Sequence, residues 1–133
     1  MILNKYRNVQ DLVYRARRKF RRLLYIDYNL SYKSSILLAG APRSGTTFVS
    51  NIINYRNEYR YIFEPFFPYE VPIVSHFEPI QYIRPENKSE KFMKPIKAIL
   101  SGRIRGTFVD WHNKKLISNK RLIKAVRANL LLK

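Results

Sequence analysis

The 133-residue chain contains no cysteine, which excludes disulfides and thiolate-held metals. Its two histidines, His76 and His112, stand far apart without ligand spacing, so no metal cofactor is expected. No apolar run is long enough to span a bilayer, and the N-terminus lacks the apolar stretch of a signal peptide. A cytoplasmic location is the expectation. Acidic residues are scarce: nine Asp plus Glu oppose 26 Lys plus Arg, a net charge of +17. That imbalance favours polyanionic partners such as a nucleotide, an acidic glycan, an anionic membrane or nucleic acid. Nucleic acid is not expected, because the chain has no helix-turn-helix spacing, zinc-finger pattern or aromatic ribonucleoprotein motif. Hydrophobic residues reach 46%, enough for one small domain with a modest core.

Residues 1–34 read as a basic amphipathic helix and a linker. Tyr6, Val9, Val13, Ala16, Phe20 and Leu23 or Leu24 recur at helical spacing over residues 1–30. Arg15, Arg17, Arg18, Lys19, Arg21 and Arg22 lie between them. Such a face packs on the domain with its arginines in water, or docks at an anionic membrane surface. Asn29, Ser31, Ser34 and Ser35 mark the linker, leaving 35–133 as the domain.

Within that domain an apolar strand from Ile36 precedes a glycine-bearing loop and a helix carrying Val49, Ile52 and Ile53. Tyr59 to Phe63 reads as a second strand delivering Glu64. Prolines at 65, 68, 72, 79, 85 and 95 exclude long regular elements, so 65–95 is expected to be a loop-like, substrate-facing insertion. Lys91 to Leu100 reads as a helix around or after Pro95, ending at Ser101-Gly102. Gly106 to Ser118 is ambiguous, with Phe108, Val109 and Trp111 expected in the core. Arg121 to Val126 reads as a third strand, and Asn129 to Lys133 as the start of a helix. The order predicts an α/β fold with a three-layer parallel sheet and a P-loop-like strand-loop-helix. Ligands of such sheets bind at the carboxyl ends of the strands, where Gly40 to Thr47, Glu64 and Arg127 converge.

The loop Gly40-Ala41-Pro42-Arg43-Ser44-Gly45-Thr46-Thr47 has the parts of an anion cradle. Glycines admit close backbone approach, the helix start offers amides, threonines add hydroxyls and Arg43 adds a charged fork. Gly40 and Gly45 with Thr47 fit a Walker A frame, except that Thr46 stands where the lysine belongs. That frame leaves a P-loop kinase or triphosphatase as an alternative. A non-catalytic basic module for membrane or nucleic acid is a second.

The string Pro42-Arg43-Ser44-Gly45-Thr46-Thr47 resembles the 5′-phosphosulfate-binding loop of sulfotransferases that use 3′-phosphoadenosine 5′-phosphosulfate, in particular the carbohydrate-type branch. The resemblance extends to Phe63-Glu64-Pro65 and to Leu122-Ile123-Lys124-Ala125-Val126-Arg127. It implies transfer of sulfate from that nucleotide to a hydroxyl acceptor, expected to be a carbohydrate. Ser44, Gly45, Thr46 and Thr47 would hold the 5′-phosphate, and Arg43 would meet the bridging oxygen. Glu64 is the candidate general base, or else the partner of a loop cation. Lys124 and Arg127 would hold donor or acceptor, or serve the fold. The family pattern continues into a segment for the 3′-phosphate that is not found before Lys133. The expectation is therefore a partial sulfotransferase domain, as a truncated frame, a fragment or part of a split protein, with an uncovered edge beside the phosphate-loop strand.

Overall fold

The computed structural model describes residues 12, 13, 15, 16, 20, 26–79, 82–84, 86–114 and 117–126. The elements are β1 (Ile26–Asp27), β2 (Ser35–Ala39), α1 (Thr46–Ile53), β3 (Arg60–Phe63), α2 (Glu90–Leu100), β4 (Ile117–Ser118) and β5 (Arg121–Ala125). Single 3₁₀ turns lie at Tyr32–Ser34 and Pro72–Val74. Three strands form a parallel sheet in the order β2-β5-β3. The fold is thus α/β with a parallel sheet, and β5 is central.

β5 earns that place by composition. A parallel strand covered on both faces needs apolar side chains in both directions, which Leu122, Ile123 and Ala125 supply; Arg121 and Lys124, toward its two ends, are buried as well. Register sets the faces. Leu37, Ile123 and Ile62 are paired across the sheet, and their face joins Ile99 and Ala98 of α2 in the core. Ile36, Leu122 and Tyr61 share the opposite face, where Ser50 of α1 meets Tyr61.

The two outer edges differ. Beside β3 the backbone runs close, with Phe63 N–H donating to the Val109 carbonyl at 2.8 Å and Tyr61 N–H to Asn113 Oδ1 at 3.4 Å. On its outer side β2 has no strand partner among the described residues. Ile36 of β2 is partly exposed, and Phe48 and Ile52 of α1 are largely so.

Several expectations need correction. Ile26–Asp27 is not helix but a strand, paired in parallel with Ile117–Ser118. The segment 65–95 is not merely substrate-facing, because Phe66, Val71, Val74, Phe77 and Ile83 are buried in the core. Its prolines break regular structure without preventing burial. Trp111 is 49% exposed rather than a core contact, whereas Val109 is buried. The earlier residues Leu12, Val13, Arg15, Ala16 and Phe20 are helical and exposed. The remainder of the basic helix, Arg127 and the helix expected from Asn129 lie outside the described residues.

Helix α2 runs through Pro95, one of the two placements the sequence left open. Proline has no N–H to give the Lys91 carbonyl one turn back. His76 Nε2 donates to that carbonyl at 2.9 Å, so the histidine repairs the missing helical bond.

The amino-terminal end of the sheet is closed by charge. Arg60 and Arg121 are register partners, and both are fully buried. Arg121 donates to Asp27 Oδ2 at 2.7 Å, to Ser35 Oγ at 3.0 Å, and to the Asn29 and Ser31 carbonyls. Arg60 makes a two-pronged contact with Asp110, at 3.0 and 3.2 Å, and donates to the Gly102 carbonyl at 2.7 Å. Gly102 stands at φ 70°, and a Cβ there would lie 2.5 Å from Arg121 Cδ. Two of the many arginines are therefore parts of the frame.

Candidate functional site

Because all three sheet strands run the same way, their carboxyl ends share one rim. β2 ends at Ala39, in register with Ala125 of β5, and Phe63 of β3 is in register with Lys124. Gly40, Val126 and Glu64 therefore follow one another across the rim. With strands about 4.8 Å apart, the loop start and Glu64 are separated by about 10 Å.

The loop after β2 is folded back on itself. Ser44 N–H donates to the Ala41 carbonyl at 3.2 Å, and the Ser44 hydroxyl donates to the same oxygen at 2.6 Å. Gly40 lies beneath this turn, where a Cβ would stand 2.7 Å from Thr46 Cγ2 and 2.8 Å from Ser44 Oγ. Gly40→Ala is therefore expected to force the turn open and lower stability by about 1–3 kcal/mol. Urea denaturation of the variant beside the parent measures this.

Gly45 is the N-cap of α1 at φ 78°, and it offers no side-chain cap. The first helical bond is Val49 N–H to Gly45 carbonyl, at 3.0 Å. The amides of Thr46, Thr47 and Phe48 thus precede the helical ladder and point out of its positive end. Arg43, Ser44, Gly45 and Thr47 are exposed beside them, and Thr46 is buried with its methyl under Gly40.

Strain is distributed unevenly. Among the described residues three non-glycines have positive φ: Arg43 at 62°, Asn57 at 53° and Glu64 at 43°. Asparagine adopts this region readily, but arginine and glutamate do so at a cost. The two costly positions are the two residues singled out from the sequence as reaction partners. Backbone strain of this kind concentrates at functional sites, where neighbouring structure holds it in place.

Glu64 is 5% exposed. Its Oε1 lies 3.3 Å from Lys124 Nζ, and its carboxylate accepts the Val126 N–H at 3.1 Å through Oε2. A strand lysine is thus a cationic partner of Glu64. Lys124 Nζ also sits 4.8 Å from the centre of the Phe63 ring, a cation–π contact. The pair joins the ends of β3 and β5 at the rim.

Tyr61 lies one face-repeat below Phe63, and its hydroxyl is 3.0 Å from Ser50 Oγ. Burial raises the Tyr61 pKa above its ordinary value and the Glu64 charge adds to the rise, while the Ser50 hydroxyl, able to turn its proton toward a phenolate, opposes it. A raised folded-state value keeps the phenol protonated, so its contribution to stability holds at neutral pH and is lost as pH rises through that value. His112 packs edge-on against the Tyr61 and Phe63 rings, at 5.9 and 5.0 Å. No cluster of three or more His, Asp or Glu able to hold a metal occurs among the described residues. No described helix is long and apolar enough to cross a membrane.

The loop residues were legible in the sequence, whereas the Lys124–Glu64 pair and the Tyr61–Ser50 link were not assigned from it. A signal for the first existed, since Lys124 interrupts an otherwise apolar run in the central strand. Comparison with known proteins gives one relationship. Over 58 residues the chain is 34% identical to carbohydrate sulfotransferase 1 of Danio rerio. The match takes in 44% of this chain and spans 14% of that relative's length. It is a relationship to a sulfotransferase over part of the chain, carried here on an α/β fold. No family model and no solved structure matches.

Proposed function

We propose that the rim of the sheet is the donor site of a sulfotransferase, taking 3′-phosphoadenosine 5′-phosphosulfate and passing sulfate to a carbohydrate hydroxyl. The observation that carries this reading is the strained pair Arg43 and Glu64 at the ends of β2 and β3, beside an uncapped helix start. The partial identity to a carbohydrate sulfotransferase supports the choice of sulfate over phosphate. So does Thr46 at the position where a triphosphatase needs lysine. On this reading the arrangement is the P-loop-like side of a three-layer domain.

The residues fit such a donor. The amides of Thr46, Thr47 and Phe48 would take the 5′-phosphate, with Thr47 adding a hydroxyl. Sulfuryl transfer resembles phosphoryl transfer in needing alignment and charge stabilisation more than covalent help. Arg43 supplies that stabilisation as charge grows on the bridging oxygen when the sulfur–oxygen bond breaks. Glu64 takes the proton of the acceptor hydroxyl, its carboxylate held in place by Lys124 and the Val126 amide.

Isothermal titration with 3′-phosphoadenosine 5′-phosphate tests the reading. Saturable binding is expected, independent of magnesium and at least tenfold weaker for adenosine 3′-phosphate, which lacks the 5′ group. Equal affinity for the two ligands, or none for either up to millimolar concentration, would overturn it. Magnesium-dependent ATP hydrolysis that survives Arg43→Ala would favour a triphosphatase instead.

A further inference from the structure

Ser50 is fully buried on the inner face of α1, where an aliphatic residue would pack without needing a partner. Its hydroxyl lies 2.8 Å from the Thr47 carbonyl and 3.0 Å from Tyr61 Oη. A serine has one proton, and a carbonyl can only accept, so that proton goes to Thr47. The Tyr61 hydroxyl must then donate to Ser50 Oγ. The resulting chain runs from Tyr61 Oη–H to Ser50 Oγ–H to the Thr47 carbonyl, and so from β3 into the first turn of α1.

The Thr47 carbonyl shares a planar peptide unit with the Phe48 amide. Holding that carbonyl fixes the direction in which the Phe48 N–H points out of the helix start. Tyr61 stands on the strand that delivers Glu64 three residues later, with β5 between it and the strand of the loop. One hydroxyl chain therefore bridges the two halves of the rim.

We infer that Tyr61 is a positioning residue for the phosphate loop, aiming the Phe48 amide through Ser50 at the donor's 5′-phosphate. The inference rests on the reading of the rim as a sulfate-donor site. Tyr61 touches no reacting atom. It sets the angle of an amide and the spacing between the loop and the Glu64 strand. A core hydroxyl pair with no such role would affect stability alone.

Tyr61→Phe keeps the ring and removes the hydroxyl, and Ser50→Ala removes the relay itself. Titration of each variant with 3′-phosphoadenosine 5′-phosphate and with adenosine 3′-phosphate separates the possibilities. We expect a loss of about 3- to 10-fold for the first ligand and none for the second, the size of one neutral hydrogen bond or less. The double variant should lose no more than the larger single, since the two groups act in series. In the free protein the Phe48 amide nitrogen resonance should move in both variants. Equal losses on both ligands, or an unchanged affinity in both variants while the parent binds normally, would refute the positioning role and leave the donor site standing. A parent that binds neither ligand would remove both.

Discussion

Replacing Arg121 with alanine is expected to cost about 3–5 kcal/mol, the penalty for leaving one half of a buried ion pair alone. The Asp27 side chain is 3% exposed, and Arg121 is its 2.7 Å partner, with Arg60 a more distant cation at 4.0 Å. Loss of the guanidinium also removes a donor from the Asn29 and Ser31 carbonyls and from Ser35 Oγ. Small domains have only about 5–15 kcal/mol in total, so a large part of the stability disappears with one side chain. Urea denaturation followed by circular dichroism measures it. A second variant separates charge from packing. Arg121→Met with Asp27→Leu removes both charges while keeping volume, and should be markedly more stable than Arg121→Ala. A loss below about 1 kcal/mol for Arg121→Ala would place this pair with ordinary surface ion pairs and refute the frame described above.

The second large effect is expected at Arg43, and it separates stability from function. Glycine adopts positive φ without the Cβ penalty that arginine carries at 62°. Arg43→Gly should therefore leave stability unchanged or raise it by up to about 1 kcal/mol, after the added chain entropy of glycine is offset. On the proposed reading of the rim, sulfate transfer should fall by about 100- to 1000-fold, the effect of removing one preorganised charge-stabilising donor. Arg43→Lys would keep the charge but lose the planar fork, and should recover only part of that loss. Transfer is read with radiolabelled donor and a sugar acceptor. Stability is read by thermal melting of the same samples. A glycine variant that is more stable yet inactive would identify the strain as functional. One that loses stability would make Arg43 a structural residue.

What could be read from the chain depended on how local each feature is. The loop from Gly40 to Thr47 is one strand, one turn and one helix start, and its glycines, arginine and threonines are contiguous. Its geometry follows from residues within a few positions of one another. Glu64 was legible for the same reason, as a carboxylate at the end of a short apolar strand. Its partner was not, because Lys124 is 60 positions further along, and only the β3–β5 register brings the two together. The two buried arginines were hidden in a chain crowded with solvated cations. Whether an arginine is frame or surface depends on Asp27 and Asp110, separated from their partners by 94 and 50 residues. β1 and β4, of two residues each, carry no periodicity that could announce a strand. Trp111 was misplaced because residue type was taken for burial.

The central position of β5 has a consequence in time. β2 and β3 do not pair with each other; among the described strands each pairs with β5 alone. Ser35 and its partner Arg121 are 86 residues apart, so during synthesis at 5–20 residues per second the loop strand waits roughly 4–17 s for its neighbour. Through that interval Ile36-Leu37-Leu38 has neither a paired backbone nor a covered face. Non-local pairing of this kind leaves apolar strand exposed for longer than hairpin pairing does, so aggregation of the unfinished chain competes with closure of the sheet until β5 emerges.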